Sequence, residues 1–333
     1  MNEKLFSVQV LRGFACLAVI ISHAIGKALN SESIVLPLFI SSTPELITFG
    51  HFGVDLFFII SGFIMFTVHY KDFGTNGAWK KFLIARFIRL VPIYWLLSSL
   101  ALVILLIAPE LFQHRSSAEI YWVLGSYFFI PVTTSYGLSS PLLGVGWSLN
   151  YEMLFYISFA FFLCFFRSYK SLGILSIIGS VSVIIGGNWH LKVTGEIMSL
   201  ITSPLLLEFL IGIFCGYLFI FHKDTLVHYK RYFLLGSFII FLCSFIYIPS
   251  NYGERFLLWG GGSALLLISA LMYEYLFQKT SYFNYVFERF GAASYSAYLI
   301  QVFSLPFFSK VFLLMNLGTN WLIYVVFIVF GTV

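Results

Sequence analysis

The chain contains 333 residues, of which 60% are hydrophobic and 10% are charged, and its formal net charge is +5. Charged residues make up about a quarter of an ordinary soluble domain, so this chain has too little polar surface to cover a globule in water. The composition therefore excludes a soluble globular protein and a disordered chain. A mean hydropathy of +0.94 indicates a membrane protein.

Long apolar segments recur along the chain, and most of them are long enough to cross the hydrocarbon core of a bilayer. Ten spans are predicted, at residues 8–28, 51–70, 84–107, 143–166, 172–187, 199–221, 233–249, 256–276, 291–308 and 319–333. The apolar segment 120–131 is too short to cross and is predicted to be re-entrant or interfacial. The predicted fold class is all-α, a polytopic membrane helix bundle. Residues 1–333 are expected to form a single membrane domain with no appended soluble domain.

The basic residues indicate the orientation of these spans. If the N-terminus is cytoplasmic and the spans alternate, the inner loops carry 14 of the lysines and arginines and the outer loops carry 5. The outer five are Lys27, Arg115, Lys192, Arg255 and Lys310. Such an excess follows the positive-inside rule. The net positive charge is thus explained by topology, and no nucleic-acid partner is predicted.

A few ionisable side chains fall inside the predicted spans, where a charge is expensive and is usually functional. They are His23, His51, Asp55, Glu152 and Glu208, with Arg12 at the inner mouth. Arg12 and His23 are eleven residues apart, close to three helical turns, so both lie on one helix face. A neutral imidazole is a natural general base near neutral pH. The alternatives are that Arg12 serves only topology and that His23 only packs within the bundle.

Two carboxylates are candidates for a catalytic role beside this histidine. Asp55 enters the second span at a depth similar to that of His23, where it is predicted to orient the imidazole and stabilise its charged form. Asp55 as a simple hydrogen-bond anchor is an equal alternative. Glu152 shares a helix face with Ser148 and Tyr156, four residues to either side.

Aromatic and small residues surround these carboxylates. Trp147 and Tyr151 add an aromatic wall to the face that carries Glu152. Glu208 directly precedes Gly212 and Gly216, and this small-residue spacing indicates close helix packing more than chemistry.

A basic cluster precedes the third span. Arg86 and Arg89 are three residues apart, so they share a helix face at the membrane mouth. Such a pair suits a phosphate, which arginine binds with two hydrogen bonds. Contact with lipid headgroups is the alternative. No histidines, cysteines and carboxylates have the spacing of metal ligands, so no metal is expected.

Six short motifs lie on six of the predicted spans. They are residues 11–15 (LRGFA) followed by His23, 52–63 (FGVDLFFIISGF), 86–95 (RFIRLVPIYW), 147–156 (WSLNYEMLFY), 208–212 (EFLIG) and 294–299 (SYSAYL). In this order they resemble the family-3 membrane acyltransferases, over most of the chain. The segment from Arg255 to Gly260 is most similar to the exopolysaccharide-production branch of that family.

The resemblance implies an O-acyltransferase of the bacterial inner membrane. Such enzymes take an acyl group, usually acetyl, from cytoplasmic acyl-CoA to a hydroxyl of a cell-surface glycan or lipid-linked saccharide, with no bound cofactor. It implies that His23 is catalytic and that Arg12 is essential. Two departures stand out: Gln301 replaces a histidine that many relatives carry, which puts any role of that histidine in doubt here, and residues 1–333 are expected to lack the hydrolase-like domain of some members.

These observations combine into one hypothesis. Arg12, Arg86 and Arg89 hold the phosphates of acyl-CoA, and His23, oriented by Asp55 or Glu152, deprotonates the acceptor hydroxyl. The side chains expected to stabilise the oxyanion or line the acceptor groove are Trp147, Ser148, Tyr156, Tyr295 and Tyr298. Direct transfer and a covalent acyl-histidine intermediate both stay open.

Two other classes of function compete with the acyltransferase. A proton-coupled transporter of a saccharide or small molecule also uses intramembrane carboxylates and histidines, but the sequence shows no inverted repeat. A structural subunit of a polysaccharide assembly leaves Arg12, His23 and Asp55 unexplained.

Overall fold

The computed structural model describes residues 5–41, 44–109, 118–188, 195–274 and 282–333, and within these ranges it is helical without a β-strand. We number the eleven principal helices α1 Phe6–Leu29, α2 Phe52–His69, α3 Ala78–Ile107, α4 Ile120–Tyr127, α5 Trp147–Phe165, α6 Leu172–Asn188, α7 Leu205–Phe221, α8 Lys223–Ile246, α9 Gly261–Met272, α10 Tyr282–Leu314 and α11 Trp321–Thr332. Shorter helical turns occupy Leu38–Ser41, Pro44–His51, Gly144–Gly146, Tyr169–Ser171, Glu196–Ile201, Tyr252–Arg255 and Phe256–Gly260. The predicted all-α fold is confirmed.

Eight helical segments of the described ranges are long and apolar enough to cross a membrane. They contain α1, α2, α3, α5, α7, α8, α9 and most of α10. The predicted fifth and tenth spans correspond to the shorter apolar helices Tyr169–Ile184 and Trp321–Thr332. Helix α4 lies in the predicted short segment, and its eight residues extend about 12 Å, far less than the thickness of the hydrocarbon core. The chain is therefore a multi-pass membrane protein, as its composition predicts.

The chain divides into two compact units, one formed by Met1–Thr67 and Glu208–Val333 and the other by Val68–Leu207. That residues 1–333 act as a single domain stays a prediction. Six positions used in the predictions lie outside the described residues: Lys4, Arg115, Lys192, Lys279 and residues 275–276.

In the first unit, α1 packs along α10, and α8 packs along α9. The contact between α1 and α10 is close because Gly291 has no side chain: a Cβ there would lie 1.9 Å from the carbonyl oxygen of Gln9. The start of α1 has no side-chain cap. Its free backbone N–H groups at Phe6 and Ser7 instead donate to the carboxylate of Glu274, at 2.6 and 3.0 Å, which suits the positive end of the helix dipole.

Helices α2 and α7 approach each other through glycines in the same unit. A Cβ on Gly62 would lie 2.0 Å from the Phe209 carbonyl oxygen, and one on Gly212 would lie 2.1 Å from the Ile59 carbonyl oxygen. The glycine spacing after Glu208 is therefore a helix-packing signal, as predicted.

In the second unit, α3 packs against α5 and is tied to α4 by side chains. The hydroxyl of Tyr94 donates to the Ser126 carbonyl at 3.0 Å, and the indole N–H of Trp95 donates to the Tyr127 carbonyl at 2.9 Å. These bonds go to two carbonyls in the last turn of α4, where the regular helix bonding ends, and the Ser126 carbonyl also accepts from the Phe129 backbone N–H at 3.4 Å.

Candidate functional site

Arg12 and His23 both point from α1 toward α10. The buried guanidinium of Arg12 donates through Nη2 to Ser294 Oγ at 3.1 Å. His23 Nδ1 lies 3.0 Å from Oε1 of Gln301. Ser294 and Gln301 are seven residues, or about two turns, apart on α10. The prediction that Arg12 and His23 share one helix face is thus confirmed.

His23 has two neighbours that the sequence analysis did not assign to the site. Gln301 is almost fully buried, and its Nε2 donates to the Tyr298 carbonyl at 2.8 Å. The His51 ring lies beside the His23 ring, with centroids 5.4 Å apart and a tilt of 59°. The sequence marks His51 only as an intramembrane histidine and Gln301 only as a departure from relatives. Neither residue could be assigned to the His23 site from the sequence, because helix periodicity does not tell which helices are neighbours.

Asp55 does not pair with His23, so that prediction is wrong. The Asp55 carboxylate instead accepts from Arg255, with Nε to Oδ1 at 2.9 Å and Nη2 to Oδ2 at 2.8 Å. A planar guanidinium offers two parallel donors, whereas an imidazole nitrogen offers one, which explains the preference. Arg255 is also not an outer-loop charge: its side chain is 12% exposed and lies over the Trp259 ring at 5.2 Å.

Glu208 lies near this ion pair and interacts electrostatically with both of its members. The side chain is fully buried beside the Asp55 carboxylate. Gly260 leaves room for it, since a Cβ there would lie 3.2 Å from Oε1 of Glu208. The first unit therefore buries two carboxylates around one arginine.

The second unit contains the other predicted carboxylate. The hydroxyl of Tyr156 donates to Glu152, one turn away on α5, which confirms the predicted common face. Arg86 lies over the rings of Phe82 and Tyr156, 5.4 and 5.6 Å from their centroids. Arg89 is exposed. Arg86 is thus held by aromatic rings next to a carboxylate, while Arg89 is exposed on the surface of the helix.

The remaining predicted residues divide between the two units. In the second, buried Ser148 donates to the Val145 carbonyl at 3.2 Å, and the rings of Trp147 and Tyr151 are 6.0 Å apart. In the first, Tyr298 is buried with its ring 6.2 Å from that of Phe57, and Tyr295 is half-buried.

Comparison with known proteins gives one family and two relatives. A family model described as an acyltransferase domain matches residues 5–333. The exopolysaccharide production protein ExoZ of Rhizobium meliloti is 34% identical over 174 residues, which are 51% of this chain and 51% of ExoZ. The peptidoglycan O-acetyltransferase OatA of Listeria monocytogenes is 26% identical over 280 residues, which are 75% of this chain and 44% of OatA. The chain spans about half the length of these curated relatives, and no solved structure matches it.

Proposed function

Because the chain belongs to the acyltransferase family matched over residues 5–333, we propose that it is a membrane O-acyltransferase. It moves an acyl group, with acetyl preferred, from acyl-CoA to a hydroxyl of a cell-surface glycan or lipid-linked saccharide. The two relatives support this acceptor class, since one is named for exopolysaccharide production and the other for O-acetylation of peptidoglycan. No metal or bound cofactor is part of the proposal.

One observation carries the assignment of the base. His23 lies within an apolar span, and its only hydrogen bond among the described residues is to the neutral amide of Gln301. A histidine bound to a carboxylate would be stabilised in its charged form, whereas this one is left as a neutral imidazole able to take a proton.

The proposed reaction is a direct transfer. His23 takes the proton of the acceptor hydroxyl as its oxygen attacks the thioester carbonyl. The C–O bond forms, the C–S bond breaks, and the CoA thiolate recovers the proton from the imidazolium. Tyr295 and Tyr298 of the first unit are proposed to stabilise the oxyanion or line the acceptor groove. Trp147 and Ser148 of the second unit stay candidates from the sequence.

Acyl-CoA carries several phosphates, and the arginines are proposed to bind them. Arg86 and exposed Arg89 of the second unit are the main proposed contacts, and Arg12 of the first unit stays a candidate from the sequence. Glu152 and Tyr156 are proposed to hold Arg86 in place, because Tyr156 contacts both. Asp55 is proposed to support the site through Arg255.

We propose a bacterial inner membrane with a cytoplasmic N-terminus. The 14-to-5 distribution of basic residues supports this orientation, and burial of Arg255 in an ion pair strengthens it by removing one charge from the outer loops.

Radiolabelled acetyl-CoA supplied to inside-out vesicles tests the proposal. We expect label to enter polysaccharide with the native protein and His23→Ala to abolish transfer while inserting normally. His228→Ala is the matched control, since His228 is exposed on α8. Full transfer by the His23 variant would remove His23 from the mechanism. Saccharide flux without label transfer would instead support the transporter.

A further inference from the structure

We propose that Gln301 is a positioning residue that fixes the tautomer of His23, with the proton on Nδ1 and the lone pair on Nε2. This inference rests on the proposed function of His23 and names the atom that acts as the base.

The assignment follows from what each atom can donate or accept. The Tyr298 carbonyl oxygen can only accept, so the amide nitrogen of Gln301 must be the group that donates to it at 2.8 Å. The Gln301 Oε1 atom therefore faces His23, where Nδ1 lies 3.0 Å away. Since Oε1 can only accept, Nδ1 must carry the hydrogen.

The lone pair of the neutral ring is then on Nε2, which has no hydrogen-bond partner among the described residues. Gln301 is 1% exposed, and α1 and α10 are in close contact at Gly291. The bond therefore holds the ring in one orientation and presents Nε2 for proton transfer.

An amide suits this role better than a carboxylate would. It selects the tautomer without adding a negative charge that would stabilise the imidazolium. The charged or titratable groups around His23 are His51, on the Pro44–His51 turn, and Lys27, one turn further along α1; Arg255 interacts in turn with His51. All of these groups are basic, so they too disfavour a second positive charge.

Two variants separate tautomer control from packing. Gln301→Leu removes the acceptor but keeps a similar volume, and we expect kcat for acetyl transfer in detergent-permeabilised membranes to fall about tenfold, with the KM for acetyl-CoA unchanged. Gln301→Glu keeps an acceptor oxygen, so we expect its kcat at high pH to be close to that of the native protein. In the plot of kcat against pH, the acid limb of this variant should move to higher pH, because the carboxylate stabilises the imidazolium. Ser304→Ala is the control, since Ser304 is on the same helix and donates to the carbonyl of Ile300.

An unchanged kcat in Gln301→Leu overturns the proposal, as does an equal loss in both variants with the native pH profile. If the leucine variant does not fold, the pH profile of Gln301→Glu decides alone.

Carbethoxylation of unprotonated histidine, followed by peptide mass spectrometry, gives a readout that does not require acetyl transfer. Trypsin cleavage at Lys27 separates His23 from His51, and the His23 reaction should require higher pH in Gln301→Glu. One result would reject only this inference: the native protein is active, His23→Ala is inactive, and the Gln301 variants behave like the native protein. The proposed function would then still stand.

Discussion

Arg255 holds Asp55 through both carboxylate oxygens, with Nε–Oδ1 and Nη2–Oδ2 distances of 2.9 and 2.8 Å. Asp55 is completely buried, and the Arg255 side chain is 12% exposed. Removing the Asp55 carboxylate would leave the buried guanidinium without its two-bond partner and, among the described residues, with only the nearby Glu208 as an acid. This ion pair is therefore expected to be necessary for the stability of the first unit.

We expect Asp55→Asn to destabilise the protein by about 1.5–3 kcal/mol, because buried Arg255 loses the carboxylate that its two nitrogens bind and keeps Glu208 as a nearby acid. Thermal unfolding in detergent, followed by size-exclusion chromatography, measures the loss. The matched control is Asp72→Asn, since Asp72 pairs with His69 at 2.7 Å but its side chain is 44% exposed. That variant should lose less than about 1 kcal/mol. Similar losses in the two variants would contradict a structural role for the Asp55 pair.

Local periodicity predicted much of this structure. The apolar segments gave most helices because a span needs about 20 apolar residues. The common face of Arg12 and His23, and that of Glu152 and Tyr156, followed from 3.6 residues per turn alone. These relationships lie within one helix, so they do not depend on how the helices are arranged.

Partners on other helices could not be predicted in this way. Asp55 and Arg255 are 200 residues apart, and His23 and Gln301 are 278 residues apart. Periodicity fixes the face on which a side chain lies but not the helix that covers that face. Depth alone favours a contact of Asp55 with His23, but Arg255, which the sequence places in a loop, is the stronger donor to Asp55.

The glycine contact between α2 and α7 predicts a steric effect. A methyl group at Gly212 would meet the Ile59 carbonyl oxygen at 2.1 Å, so Gly212→Ala must push the helices apart. We expect a loss of about 1–3 kcal/mol in thermal unfolding. Gly261→Ala is the control, because nothing lies within 4 Å of the added carbon and alanine favours the helix. A stable Gly212→Ala variant would show that this helix contact is loose.

Tyr156 is expected to serve Arg86 and Glu152 through different parts of its side chain. Tyr156→Phe removes the hydroxyl that donates to Glu152 and keeps the ring under Arg86. We expect it to cost about 1.5–3 kcal/mol of stability, as for other hydrogen bonds to charged groups. Tyr156→Leu also removes the cation–π contact and should lose about 0.5–2 kcal/mol more. Equal unfolding temperatures for the two variants would show that the ring does not hold Arg86.

The arginine pair gives the test of donor binding. We expect Arg86→Ala combined with Arg89→Ala to raise the KM for acetyl-CoA about tenfold or more and to change kcat less, because charge-assisted bonds to phosphate are lost. Arg231→Ala, at an exposed position on α8, is the control and should leave KM unchanged.

The donor itself can be varied to separate phosphate binding from lipid contact. Acetyl-3′-dephospho-CoA lacks one phosphate, so the native protein should bind it more weakly than acetyl-CoA. If the arginines bind that phosphate, the double variant should no longer distinguish the two donors. If it discriminates between them as well as the native protein does, Arg86 and Arg89 act on lipid headgroups or topology instead.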